Sequence, residues 1–288
     1  METYFTKFPN ITYNNSNCID ITRNVSIRNI SKRINDTFYL YTNDNSFRSD
    51  QISEYYYDDP HIDWLIFLAN HKIDPYYDWF LNIEQFESFI IQKYRSIELA
   101  VNKIKHWELS YDNTEELLPS TYNTLPQTIK KYYVGKDFVK GNPTIYKANE
   151  SNWSINTNKI TQFEVTFTDE KRFIDEELIQ IKQNPSYDTV LGRAEFISAN
   201  DTSIICKDVR DSEDDGYYLV GRTSGASAQI ISSTTLKQVI PLSEVVYWRP
   251  VSFYEWEQYQ NEQNKIIELI DKNSILEVSE SFRKLLKE

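Results

Sequence analysis

The chain has 288 residues, of which 40% are hydrophobic and 15% aromatic, and a formal net charge of −12. That length accommodates two or three domains with real cores. The acidic balance repels phosphate backbones and anionic lipid surfaces, so no nucleic acid and no membrane is expected among its partners.

Two cysteines, Cys18 and Cys206, stand far apart and neither sits in a zinc-like spacing, so neither a disulfide framework nor a metal site is expected. The first residues show no basic segment followed by an apolar run, and no stretch approaches the roughly 20 apolar residues that span a bilayer. Folding in the cytosol is the expectation.

Residues 1–35 place Ile19, Ile21, Val25, Ile27 and Ile30 at roughly alternate positions. They read either as an extended arm laid along a partner or as a flexible tail. Residues 36–110 form the first compact unit. Phe38 to Thr42 has strand composition. Ser49 can cap a short helix through Ile52 and Tyr56. Asp59-Pro60 starts a second, because Asp caps and Pro is preorganised at the first helical position. A turn at Asp74-Pro75 leads to a short strand at Trp79, Phe80 and Leu81. Asn82 and Gln85 then form a capping box. Ile83, Phe86, Ile90, Tyr94, Ile97, Val101 and Ile104 step by three and four, which predicts one helix over 82–104. Its stripe either packs on its own domain or meets another chain.

Residues 111–185 are broken by Pro119, Pro126, Gly135, Gly141 and Pro143 and read as an irregular α+β connection. Within them Gln162 to Thr168 alternates as a strand, and Asp169 to Gln183 reads as helix. Residues 186–249 hold Gly192, Gly216, Gly221 and Gly225 between short β-rich runs, the pattern of a small antiparallel barrel or roll. Residues 250–288 return to helix, with capping boxes at Ser252/Glu255 and Ser274/Glu277. They predict a C-terminal helical hairpin carrying Ile266, Ile267 and Ile270 on its first arm. The fold class is therefore α+β.

No constellation for catalysis emerges. His61, His71 and His106 are dispersed, and His106-Trp107-Glu108 lacks the second histidine a zinc protease needs. Gly221-Arg-Thr-Ser-Gly225 lacks the spacing of a serine nucleophile elbow and reads as a tight turn. Acidic pairs such as Glu176-Glu177 are unremarkable in a chain with 43 acidic residues. The acidic run Asp211 to Gly216 departs from the calcium-loop spacing and reads as a solvated loop. No catalytic, cofactor-binding or metal-binding residue is assigned, and no enzyme activity is expected.

The stretch from Phe47 to Asn70, with Asp59-Pro60-His61-Ile62-Asp63-Trp64 at its centre, resembles a degenerate LysM module. Asp74 to Trp79, Phe89 to Tyr94, Tyr4-Phe5 and Phe8 to Tyr13 extend the likeness to the baseplate wedge family of contractile-tailed bacteriophages. The stretch from Tyr254 to Leu286 resembles that family's ending. The turn after the first strand, Thr42-Asn-Asp-Asn-Ser-Phe47, departs from the glycine-containing turn of the family, although Asn and Asp tolerate turn conformations. The resemblance implies a LysM-like N-terminal unit, with residues 186–249 as an insertion. It also implies a structural role in the virion tail baseplate after synthesis in the host cytoplasm. The implied partners are other wedge subunits and hub or sheath-initiating tail proteins.

Such a role needs aromatic and helical contact residues. The candidates are Tyr55, Tyr56, Trp79, Tyr94, Ile97, Val101, Trp248, Trp256, Tyr259 and Phe282, while Trp64 reads as ordinary core. The alternative is a cell-wall binding module, since LysM modules commonly bind N-acetylglucosamine polymers.

Overall fold

A computed structural model describes residues 8–20, 38–44, 46–72, 74, 78–109, 116–148, 153–211 and 213–287. Tyr4-Phe5, the alternating residues Ile21 to Ile30 and the turn residue Pro75 lie outside the described residues.

In chain order the elements begin with β1 (Asn10–Tyr13), β2 (Ser16–Ile19), β3 (Phe38–Thr42), α1 (Ser49–Tyr57) and α2 (Trp64–Ala69). Next come α3 (Ile83–Tyr94), α4 (Ile97–Asn102), β4 (Ile104–Leu109), β5 (Glu116–Leu117), α5 (Pro119–Thr124) and α6 (Gln127–Lys130). Then follow β6 (Tyr133–Val139), β7 (Asn142–Ala148), β8 (Ser154–Ile155), β9 (Lys159–Phe167), β10 (Leu178–Lys182) and β11 (Gly192–Ala199). The chain ends with β12 (Ser203–Asp211), β13 (Tyr218–Gly221), β14 (Ser227–Gln238), β15 (Trp248–Ser252), α7 (Phe253–Asn264), β16 (Ile266–Ile270) and α8 (Ile275–Lys287). The fold mixes helix and strand, and the chain divides into two compact units: Met1–Phe89 with Glu257–Glu288, and Ile90–Trp256.

The first unit is organised by a two-stranded antiparallel sheet of β3 and β16, in register from Ile266 opposite Thr42 to Ile270 opposite Phe38. Two short helices and α8 cover it. Ile267 and Leu269 meet Ile52, Tyr57, Ile66 and Trp79. Ile270 meets Trp64, Leu65 and Ala69 of α2, Phe282 and Leu286 of α8, and Phe8. Local chemistry explains the helix starts. Asp59 accepts the His61 amide at 2.9 Å ahead of α2. The Gln51 side chain accepts the Arg48 amide at 3.0 Å, so Arg48, not Ser49, is the N-cap residue of α1. Trp79 to Leu81 form no strand. The partner of β3 is instead Ile266–Ile270, read from the sequence as helix, so the C-terminal helices are separated by a strand and are not a simple hairpin. The reason is the pairing itself: Ile267 and Leu269 alternate onto the core, and β3 supplies the ladder.

The Asn82/Gln85 capping box forms as expected, with Gln85 N–H to Asn82 Oδ1 at 2.9 Å and Asn82 N–H to Gln85 Oε1 at 3.2 Å. The helix over 82–104, however, breaks. Arg95 takes a left-handed φ of 72°, Ser96 caps α4 by accepting the Leu99 amide at 3.1 Å, and Ile104 begins strand β4. A β-branched residue such as Ile104 leans toward strand, and pairing of β4 to β15 takes it there.

The second unit is dominated by a closed six-stranded barrel, in the order β10-β11-β12-β9-β14-β13. It runs from Lys159 to Gln238, starting well before residue 186. Leu178–Lys182, read from the sequence as part of a helix, is the strand that closes it, paired with β11 on one side and β13 on the other. Phe163, Val165, Ile179, Ile181, Phe196, Ile204, Cys206, Leu219 and Ile230 fill the interior. An interior filled by side chains is what a small barrel provides. Beside it, β4 pairs with both β15 and β8, and β7 pairs with both β5 and β6.

Candidate assembly surfaces

In the second unit three buried carboxylates hold the framework by hydrogen bonds. Glu177 is 5% exposed, and its carboxylate holds the Gly221–Gly225 turn. It accepts the Thr223 and Ser224 amides at 3.1 and 3.0 Å, the Ser224 hydroxyl at 2.8 Å and the Ile174 amide at 2.7 Å. A Cβ on Gly221 would lie 2.2 Å from Ser224 Oγ and 2.7 Å from Glu177 Oε1, so this glycine is required by close approach. Asp208, buried with a φ of 50°, accepts Trp107 Nε1–H, the Thr157 hydroxyl and the Asn158 amide. Glu244, 1% exposed, accepts the Tyr132 hydroxyl at 2.5 Å and pairs with Lys131 at 3.2 Å.

The three histidines are not brought together. His61 and His71 are exposed, whereas His106 is buried, 2.8 Å from Glu108 Oε1 and edge-on to Trp256. Among the described residues no three His, Cys, Asp or Glu side chains cluster as a metal site. Cys206 lies inside the barrel, where burial pushes its thiol pKa up, while Cys18 is exposed. A groove of about 480 Å³ on the barrel has Phe167, Phe173 and Phe196 in its wall, with Asp169, Lys171 and Arg172 among its charged residues. It holds neither a histidine nor a cysteine.

The candidate contact residues divide by exposure. In the first unit Tyr55 is 76% and Tyr259 57% exposed. Tyr56 is half-buried, stacked on Tyr39 at 6.0 Å with a 7° interplanar angle. Trp79 and Phe282 are core: Trp79 donates from Nε1 to the Phe47 carbonyl at 2.9 Å, and Phe282 packs against Trp64 at 5.0 Å. Trp64 is core as well. In the second unit Val101 is exposed and Ile97 half-buried. Tyr94 packs on Phe253 at 5.1 Å, and Trp256 lies under Lys105 Nζ at 3.6 Å. Trp248 packs with Ile104, Trp107 and Ile240. Sequence reasoning passed over Leu40 and Tyr39, exposed at 66% and 56%. They lie in a strand whose partner is more than 200 residues away, so no local pattern marked their exposure.

Fold and surface together define a mixed α/β protein that presents aromatic and aliphatic side chains to solvent around hydrogen-bonded frameworks. Over residues 2–119 the chain is similar to the family described as "Base plate wedge protein 53". No curated protein matches it. Among the described residues no helix is long and apolar enough to cross a membrane.

Proposed function

We propose that this chain is a non-catalytic joint of the phage baseplate, tying wedges to one another and to hub or sheath-initiating proteins through protein–protein contacts. The observation that carries the reading is the family match over residues 2–119. The arrangement of β3, α1, α2 and β16, two helices with a two-stranded sheet, supports a LysM-like reading of the first unit. The exposed Tyr55, Tyr259 and Val101 are its contact residues. Large aromatic side chains left in water are the usual anchors of such interfaces. Tyr56, Tyr94, Ile97, Trp248 and Trp256 are partly covered within the chain.

Cross-linking mass spectrometry on purified virion tails tests the proposal. Cross-links from this chain to two or more different baseplate proteins are expected. Their absence, or sedimentation of the purified chain with peptidoglycan that chitin oligomers compete away, would overturn it.

A further inference from the structure

The two edges of the β3–β16 sheet are treated differently. Asn43 N–H bonds Lys265 O at 2.9 Å, which fixes the phase of the antiparallel ladder. Tyr39 and Tyr41 exchange hydrogen bonds with Leu269 and Ile267, while Leu40 and Glu268 turn their backbone groups outward. On β16 the outward groups are taken. Asn70 accepts the Glu268 amide at 2.7 Å and donates to the Glu268 carbonyl at 2.8 Å, and the Tyr57 hydroxyl accepts the Ile270 amide at 2.9 Å. Side chains thus complete that edge as a neighbouring strand would. On β3 the outward groups of Leu40 form no hydrogen bond among the described residues, while the Thr42 carbonyl accepts the Asp44 amide at 3.1 Å, and Phe38–Thr42 holds no charge, no proline and no bulge. Leu40 and Tyr39 are both well exposed.

An open edge with these features is a template for strand addition. We infer that β3 accepts an extended segment of about five residues from a different baseplate chain. That segment pairs with the outward groups centred on Leu40 and presents apolar side chains to Leu40 and Tyr39. Pairing of two copies about Leu40 satisfies the same ladder, but it brings together two chains of charge −12, and like-charged chains repel. The occupant is therefore a neutral or basic segment of another protein. This inference rests on the proposed baseplate role.

The test is amide hydrogen exchange on the full chain, first isolated and then in baseplates purified from virions. In the isolated chain Leu40 exchanges freely while Tyr39 and Tyr41 are protected. In baseplates the Leu40 rate falls by roughly tenfold or more, the size of one or two added hydrogen bonds. Leu40→Pro removes only an outward amide, so the chain is expected to fold yet fail to enter baseplates. Should that variant unfold, Leu40→Lys, which keeps the backbone and places a charge on the edge, replaces it. An unprotected Leu40 in baseplates that contain the chain overturns the inference and leaves the baseplate role standing. Absence of the chain from baseplates overturns the role itself. A dimer of the isolated chain with Leu40 already protected makes the occupant a second copy and refutes the heterologous partner.

Discussion

Replacing Glu177 by alanine removes the acceptors that pin the turn after β13. Three backbone amides, those of Ile174, Thr223 and Ser224, lose their partner together with one hydroxyl. A buried donor left unsatisfied costs about 1–3 kcal/mol. The vacated space admits water to some of these groups, and removing a buried carboxylate returns part of its own desolvation cost. We therefore expect a net loss near the low end of the sum, about 2–4 kcal/mol. Glutamine separates shape from charge. With its amide nitrogen at the Oε1 position it faces the Ser224 hydroxyl, which can turn to accept, and only the Ile174 amide is opposed by another donor. Glu177→Gln should cost about 1–2 kcal/mol, clearly less than alanine. Because the chain has two compact units, the opening of each is followed separately. The suitable assay is native-state hydrogen exchange of barrel amides such as those of Leu219 and Val220, which reads the opening free energy of this unit directly. Equal losses for alanine and glutamine, or losses under about 0.5 kcal/mol for both, would refute the assignment of Glu177 as the pin of the turn.

Gly221→Ala should destabilise the same turn by more than the roughly 1 kcal/mol typical of point substitutions, since its Cβ would fall on Ser224 Oγ and the Glu177 carboxylate; the same exchange measurement checks it. Asn70→Ala should strip the outer edge of β16 of two hydrogen bonds at Glu268 and cost about 2–3 kcal/mol, read from exchange of the first unit's amides. The Tyr57 phenol is raised by burial above its ordinary value of 10.0. The folded state thus holds this proton more tightly than the unfolded one, so stability should be intact below pH 10.0 and fall as pH rises beyond it. Tyr57→Phe should flatten that alkaline limb in pH-dependent denaturation. Under native conditions a maleimide should label one thiol, the exposed Cys18, and after denaturation two, because Cys206 is buried and its thiolate disfavoured.

Where structure was set by neighbours in sequence, it was legible. Asn82 with Gln85 and Ser252 with Glu255 form the capping boxes their spacing predicts, and Asp59-Pro60 opens the turn into α2. The alternation in Gln162 to Phe167 is strand β9, and the β-rich runs at Ala194, Ser203, Tyr218 and Ala228 are barrel strands. Two of the misread segments share one cause. Leu178–Lys182 and Ile266–Ile270 are short apolar runs that fit helical and strand periods equally. Distant partners decide between the two, with β13 some 40 residues after β10 and β3 more than 200 before β16. Among the contact candidates, sequence could name aromatic residues but not their exposure. Trp79 and Tyr55 look alike as letters, yet one is core and the other lies open.

The same non-locality bears on how the matched region stands as a folding unit. The family match ends at residue 119, yet the sheet of the first unit is completed only by Ile266–Ile270, and one of its cores by Phe282 and Leu286. Without those residues β3 has no ladder, and Ile52, Ile66, Trp64 and Leu65 lose apolar neighbours they are buried against. The first unit therefore completes its sheet only when Ile266–Ile270 is present. The barrel, whose strands lie within 159–238, has all its partners earlier. Closing a sheet across more than 200 residues costs loop entropy that rises only slowly with length, and an intervening segment already folded shortens the effective loop further. The barrel unit thus lowers the cost of the closure that builds the β3 edge.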